Sequence, residues 1–189
     1  MDTLLQAFDM AVPIWAQALG RVSWSHGVFT AIYLLAAWLC LLNGHIARAA
    51  RETHKVWCVA AAALCLLAAN TLLQSEVLLT HVLRAIAKSQ GWYGGRRELQ
   101  YAVVGLLALL GWLVWLRLRS AFTTSHSASE PVVWGLTLVL LVFALRLVSA
   151  HGTDAVLNLR LAGLSMGRLT ELAGLGLVVH GSLRCLRLR

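Results

Sequence analysis

Apolar residues run in long blocks along this chain, and charged residues mark the ends of the blocks. No Asp, Glu, Lys or Arg falls between Arg21 and Arg48, and the stretch Val28 to Leu42 reads VFTAIYLLAAWLCLL. A helix that crosses about 30 Å of hydrocarbon needs about 20 mainly apolar residues, because backbone N–H and C=O groups in lipid must be satisfied within the segment. By that rule the pattern predicts about five membrane-spanning helices, near residues 25–44, 56–82, 99–117, 131–150 and 161–183. The second continues as a polar-striped helix toward Lys88. The fourth opens at Pro131, a favoured first helical position. The fifth carries Arg168 and Glu171 near its start, spaced so that they can pair on one helix face.

Ahead of these spans, Leu4, Phe8, Val12, Trp15 and Leu19 recur at helical spacing. That periodicity predicts a helix over residues 1–20 lying along the membrane interface, kinked or restarted near Pro13. Connections are short and no internal repeat is visible, so residues 1–189 read as one domain. The expected fold class is all-α: a polytopic integral membrane helical bundle preceded by an interfacial helix.

Composition agrees with the pattern. The chain is 59% apolar and 13% charged, with a mean hydropathy of +0.74, against about 45–50% and about 25% for an ordinary globular domain. Disorder, a collagen-like fibre and a disulfide scaffold are excluded by those values. Lys and Arg exceed Asp and Glu by 16 to 8, but the positive residues are scattered between apolar blocks, which argues against a nucleic-acid partner. Cys40, Cys58, Cys65 and Cys185 form neither a CxxC nor a zinc pattern. The start Met1-Asp2-Thr3 is acidic and no small-residue cleavage site closes a short apolar core, so the first residues are expected to stay in the mature protein.

Five spans divide the polar segments between two faces. The N-terminal segment and the stretches 84–98 and 146–160 share face A; residues 45–55, 117–130 and the tail 184–189 share face B. Lys and Arg split evenly between them, so the positive-inside count is a tie. Face A also holds Asp2, Asp9, Glu76, Glu98, Asp154 and Glu171, whereas face B holds only Glu52 and Glu130. The arginines on face B therefore read as free orientation signals. This predicts an N-terminus outside and a C-terminus in the cytoplasm, and the alanine, leucine and arginine usage with short loops suggests a bacterial inner membrane.

The residues that carry chemistry gather on face A. Asn70, Gln74, His81, Arg84 and Lys88 form one stripe of the second helix, and Glu76, Thr80 and Arg84 step by four beside it. The loop Gly91-Trp92-Tyr93-Gly94-Gly95-Arg96-Arg97-Glu98 sets glycines and aromatics next to two guanidinium forks, a composition suited to holding a phosphate or carboxylate. At the end of the fourth span come Arg146, His151 and Asp154, a histidine beside a carboxylate that suits proton transfer, metal ligation or a helix cap. On the fifth helix Gly163, Gly167 and Glu171 share a face, which lets another backbone approach and turns Glu171 inward. Buried unpaired charges cost several kcal/mol, so these groups are expected to face one another or a polar chamber.

Three functions follow from such a chamber. In the first, Arg84, Arg96, Arg97 and Arg146, with Trp92 and Tyr93, bind an anionic or polar-headed ligand such as a lipid or quinone headgroup. Glu76, His81, His151, Asp154 and Glu171 then set charge balance or move protons, within the lipid bilayer or a larger membrane complex. In the second, His26, His81 and His151 ligate haem b in an electron-transfer cytochrome. In the third, His81, His151, Asp154 and Glu76 or Glu171 serve a metal-dependent or acid/base hydrolase or transferase, although no HExxH motif is present.

Overall fold

A computed structural model describes residues 2–50, 54–89, 109, 112, 113, 115, 116, 120, 130–148, 157–161 and 163–188. Six helices carry nearly all of these residues: α1 (Asp2–Leu19), α2 (Trp24–Ala49), α3 (Lys55–Leu73), α4 (Ser75–Ser89), α5 (Glu130–Val148) and α6 (Met166–Arg187). A short antiparallel ribbon, β1 (Arg160–Leu161) and β2 (Leu164–Ser165), precedes α6. Three of the helices, α2, α3 and α6, are long and apolar enough to cross a membrane.

Large apolar side chains point outward from the helices, among them Leu34, Leu35, Trp38 and Leu41 on α2 and Val59, Leu66 and Leu72 on α3. Inside, small residues let the helices approach around a few large side chains such as Tyr33, Trp57 and Leu64. Ala36, Ala37, Cys40 and Ala47 of α2 are buried with Ala60, Ala61, Leu64 and Ala68 of α3. This inversion is what lipid dictates: hydrocarbon solvates leucine as well as a protein core does, so helices associate through close backbone packing.

The α5–α6 pair shows the same principle at one glycine. A Cβ at Gly174 would lie 2.8 Å from Val139 Cγ2 and 2.9 Å from the Gly135 carbonyl oxygen. No side chain fits there, and the two backbones meet.

Contacts along the helices fix their directions. Tyr33 reaches Glu171 and Asn43 reaches Ser182, so α2 and α6 run parallel with nearly matched register. Gln74 reaches His26 while Gly44 abuts Trp57, so α3 runs antiparallel to α2. Arg146 meets Glu171 while Gly181 abuts Val132, so α5 runs antiparallel to α6. The starts of α2 and α6 and the ends of α3 and α5 therefore converge at one end of the bundle.

The structure departs from the sequence pattern in three places. The second helix does not continue to Lys88: α3 stops at Leu73, Gln74 takes the left-handed conformation (φ 47°, ψ 40°), and α4 begins as a separate helix. The Nε1–H of Trp15 donates to the Leu73 carbonyl at 2.6 Å, giving a partner to one of the carbonyls that the break leaves without a helical donor. The last helix starts at Met166 and not near Leu161. Gly163, at φ +85°, turns the chain through the ribbon, and Ser165 caps the helix by accepting from the Arg168 N–H. Helix α1 runs past Pro13 without restarting. It packs on α4 through the buried Ala7 and Ala11, while Leu5, Phe8, Met10 and Ile14 face outward. The segment 99–117 lies almost wholly outside the described residues.

Candidate functional site

A cavity of about 490 Å³ occupies the end of the bundle where the polar ends of the helices converge. Part of its lining is apolar: Phe29 from α2, Leu67 from α3, and Val139, Val142 and Phe143 from α5. Around that lie His26 and Tyr33 of α2, Asn70, Thr71 and Gln74 at the end of α3, and Glu76, Thr80, His81 and Arg84 of α4. Arg146 closes α5, and Asn158, Ser165, Arg168 and Glu171 complete the wall. The break at Gln74 matters here, because α4 turns away from the axis of α3 and brings its own polar face against the same space.

One network is centred on Glu171. Its Oε1 accepts from the Tyr33 hydroxyl at 2.6 Å, and its Oε2 accepts from Arg146 Nη2 at 2.9 Å. The Glu171 side chain is 7% exposed and that of Arg146 is 30% exposed. A carboxylate this deep among apolar helices is tolerated only when its oxygens are engaged and its charge is met, and both conditions hold. Gly167, one turn before Glu171, faces Leu157 and Arg146: a Cβ there would lie 3.3 Å from Leu157 Cδ2 and, at ordinary contact distance, 3.6 Å from Arg146 Nη2.

A second network is centred on His26. Arg168 Nη1 donates to Ser25 Oγ at 2.8 Å and Nη2 to His26 Nε2 at 3.3 Å, with the guanidinium 5.3 Å over the Phe29 ring. Gln74 Nε2 also approaches His26 Nε2, at 3.2 Å. On the other side of the ring, Nδ1 lies 3.1 Å from Ser23 Oγ. The backbone N–H of Ser23 also donates to Nδ1, at 3.2 Å. Arginine can only donate, so Nε2 offers its lone pair to the guanidinium. Haem ligation through Nε2 therefore requires displacing Arg168 and Gln74 together.

Of the residues singled out in the sequence, Glu76, His81, Arg84, Arg146 and Glu171 line the one cavity, as does His26. Trp92, Tyr93, Arg96, Arg97, His151 and Asp154 lie outside the described residues. Of the two arginines that could pair with Glu171, Arg168 and Arg146, it is Arg146 that takes the carboxylate, and Arg168 turns to Ser25 and His26. Gly163 does not share the packing face of Gly167, since it sits in the ribbon turn. Lys88 of the expected polar stripe does not line the cavity.

Tyr33 was not foreseen, although its signal is visible as the one phenol inside the apolar run 28–42. Among the described residues, no group of three or more His, Cys, Asp or Glu side chains is placed to hold a metal ion. No family model, curated protein or solved structure matches the chain.

Proposed function

We propose that this chain is a multi-pass inner-membrane protein whose chamber binds an anionic or polar-headed ligand, of the kind presented by a lipid or quinone headgroup. The observation that carries this reading is the cavity itself: three arginines, two glutamates, two histidines and a buried tyrosine around a volume of about 490 Å³. That size falls in the range of about 300–1,000 Å³ common to small-molecule sites. Lipid-facing helices gain nothing from such a set, and intramembrane ionisable groups that converge on a cavity are a functional signal.

Five spans fit the described helix directions. Helix α4 begins at the chamber end and α5 begins at the opposite end, as the five-span reading requires. Trp115 packs on Trp134 near the start of α5, with ring centroids 5.5 Å apart, which supports a crossing near 99–117 that ends there. The chamber then opens on face A, outside the cytoplasm, with α1 along the interface and the C-terminus in the cytoplasm. Proteolysis of a C-terminal tag in inverted and right-side-out vesicles tests the orientation.

The ligand is tested by mass spectrometry of the protein purified in mild detergent, scored for bound small molecules or lipid. Wild type is expected to retain a phosphate- or carbonyl-bearing species that Arg84→Ala loses and Arg187→Ala, at the far end of α6, keeps. Equal retention in all three, or none in any, removes the chamber as a binding site.

A further inference from the structure

Within the cavity, most of the charged groups are already committed to the protein. Both oxygens of Glu171 are taken by Tyr33 and Arg146, and Arg168 is held by Ser25, His26 and the face of Phe29. Two groups on α4 stand apart. Arg84 is exposed and lines the cavity. Glu76 Oε2 is fully buried yet has no hydrogen-bond partner among the described residues. A buried carboxylate oxygen left in this condition costs several kcal/mol in either protonation state, because an ionised oxygen lacks a donor and a protonated one lacks an acceptor.

Resting on the headgroup reading above, we infer that the chamber takes a zwitterionic phosphate ester, with Glu76 turning its carboxylate into the chamber to accept from a primary ammonium, and the phosphate on Arg84 and the free edge of Arg146. A simple anion satisfies the guanidinium groups and leaves Glu76 Oε2 unpaired. A choline headgroup brings positive charge but no N–H or O–H donor, so the same oxygen stays without a hydrogen bond. A glycerol headgroup brings a hydroxyl donor but does not meet the carboxylate charge. Only an ammonium on a short spacer supplies both, and charge-assisted hydrogen bonds of that kind are the strong ones. This ligand chemistry has two sources, an aminophospholipid in the bilayer and a free phosphoethanolamine-like solute.

The test titrates the full chain, in maltoside micelles, with dihexanoyl phosphatidylethanolamine, phosphatidylcholine and phosphatidylglycerol and with free O-phosphoethanolamine, reading heat or tryptophan fluorescence. The ethanolamine lipid is expected to bind about tenfold or more tightly than the choline lipid, the difference a charged hydrogen bond makes. In Glu76→Gln that preference should shrink about tenfold, while a circular-dichroism spectrum and dodecyl sulfate unfolding midpoint like those of wild type show that the variant is folded. Binding of free phosphoethanolamine as tight as the lipid assigns a soluble source; binding of the lipid alone assigns the bilayer. Choline or glycerol lipid binding as well as the ethanolamine lipid, or a preference unchanged in Glu76→Gln, overturns the zwitterion inference and leaves the chamber reading standing. No binding of any probe by wild type overturns both.

Discussion

Removing both members of the Arg146–Glu171 pair should cost no more than removing the arginine alone. In Arg146→Met the Glu171 carboxylate, 7% exposed, keeps only the Tyr33 hydroxyl and loses its counter-charge. Removing one partner of a fully buried pair costs about 3–5 kcal/mol; because the Arg146 side chain is 30% exposed and reached by water, the lower end applies, about 3 kcal/mol. Glu171→Gln should cost less, about 2 kcal/mol, since the amide oxygen still accepts from Tyr33 and the stranded guanidinium can turn to solvent. The double variant has no stranded charge and should cost about 3 kcal/mol rather than their sum. The coupling energy is then about 2 kcal/mol. The assay is reversible unfolding in mixed micelles by an increasing fraction of dodecyl sulfate, followed by circular dichroism. A double variant whose cost equals the sum of the singles within about 0.5 kcal/mol would show that the two side chains do not interact, and the account of the Glu171 network would fall.

Two further outcomes follow from the packing and the His26 network. Gly174→Ala forces a methyl against Val139 and the Gly135 carbonyl, so it should destabilise by about 1–3 kcal/mol in the same unfolding assay; Gly176→Ala, where nothing lies within 4 Å, should be close to neutral. The purified protein, expressed with haem supplied and scanned before and after dithionite, should show no Soret band, because His26 Nε2 is already occupied by Arg168 and Gln74. A reduced α band at about one haem per chain would overturn that account of His26 and establish the cytochrome.

Legibility from sequence followed the physics of each element. The apolar blocks around α2, α3 and α6 were readable because lipid demands length and apolarity, and both are written in the residue order. The charged residues that met in the cavity were readable for the complementary reason: Glu76, Arg84, Arg146 and Glu171 were too costly to leave in lipid. What the pattern could not give was the break at Gln74. Neither Gly nor Pro marks it, and the left-handed turn is held by tertiary contacts, the Trp15 hydrogen bond to Leu73 and the Gln74 contact with His26. Nor could spacing choose between Arg168 and Arg146 as the partner of Glu171. The local pair is three residues apart, but the antiparallel α5–α6 packing brings the distant arginine closer. The start of α6 was misplaced because Leu161, Leu164 and Met166 continue the apolar count, while Gly163 and the Ser165 cap decide the backbone.

The separation of Glu171 from its two partners along the chain bears on how the protein is made. Arg146 precedes Glu171 by 25 residues, whereas Tyr33 precedes it by 138. Chains are synthesised from the N-terminus and tend to assemble in that order. Tyr33 is thus in place, on the α2–α3 hairpin, long before the carboxylate exists. Arg146 and Glu171 leave the ribosome almost together and can enter the bilayer as a neutral pair on the α5–α6 hairpin. The ion pair is then a passport for insertion as much as a feature of the finished chamber, and the phenol is the latch that docks the late hairpin onto the early one.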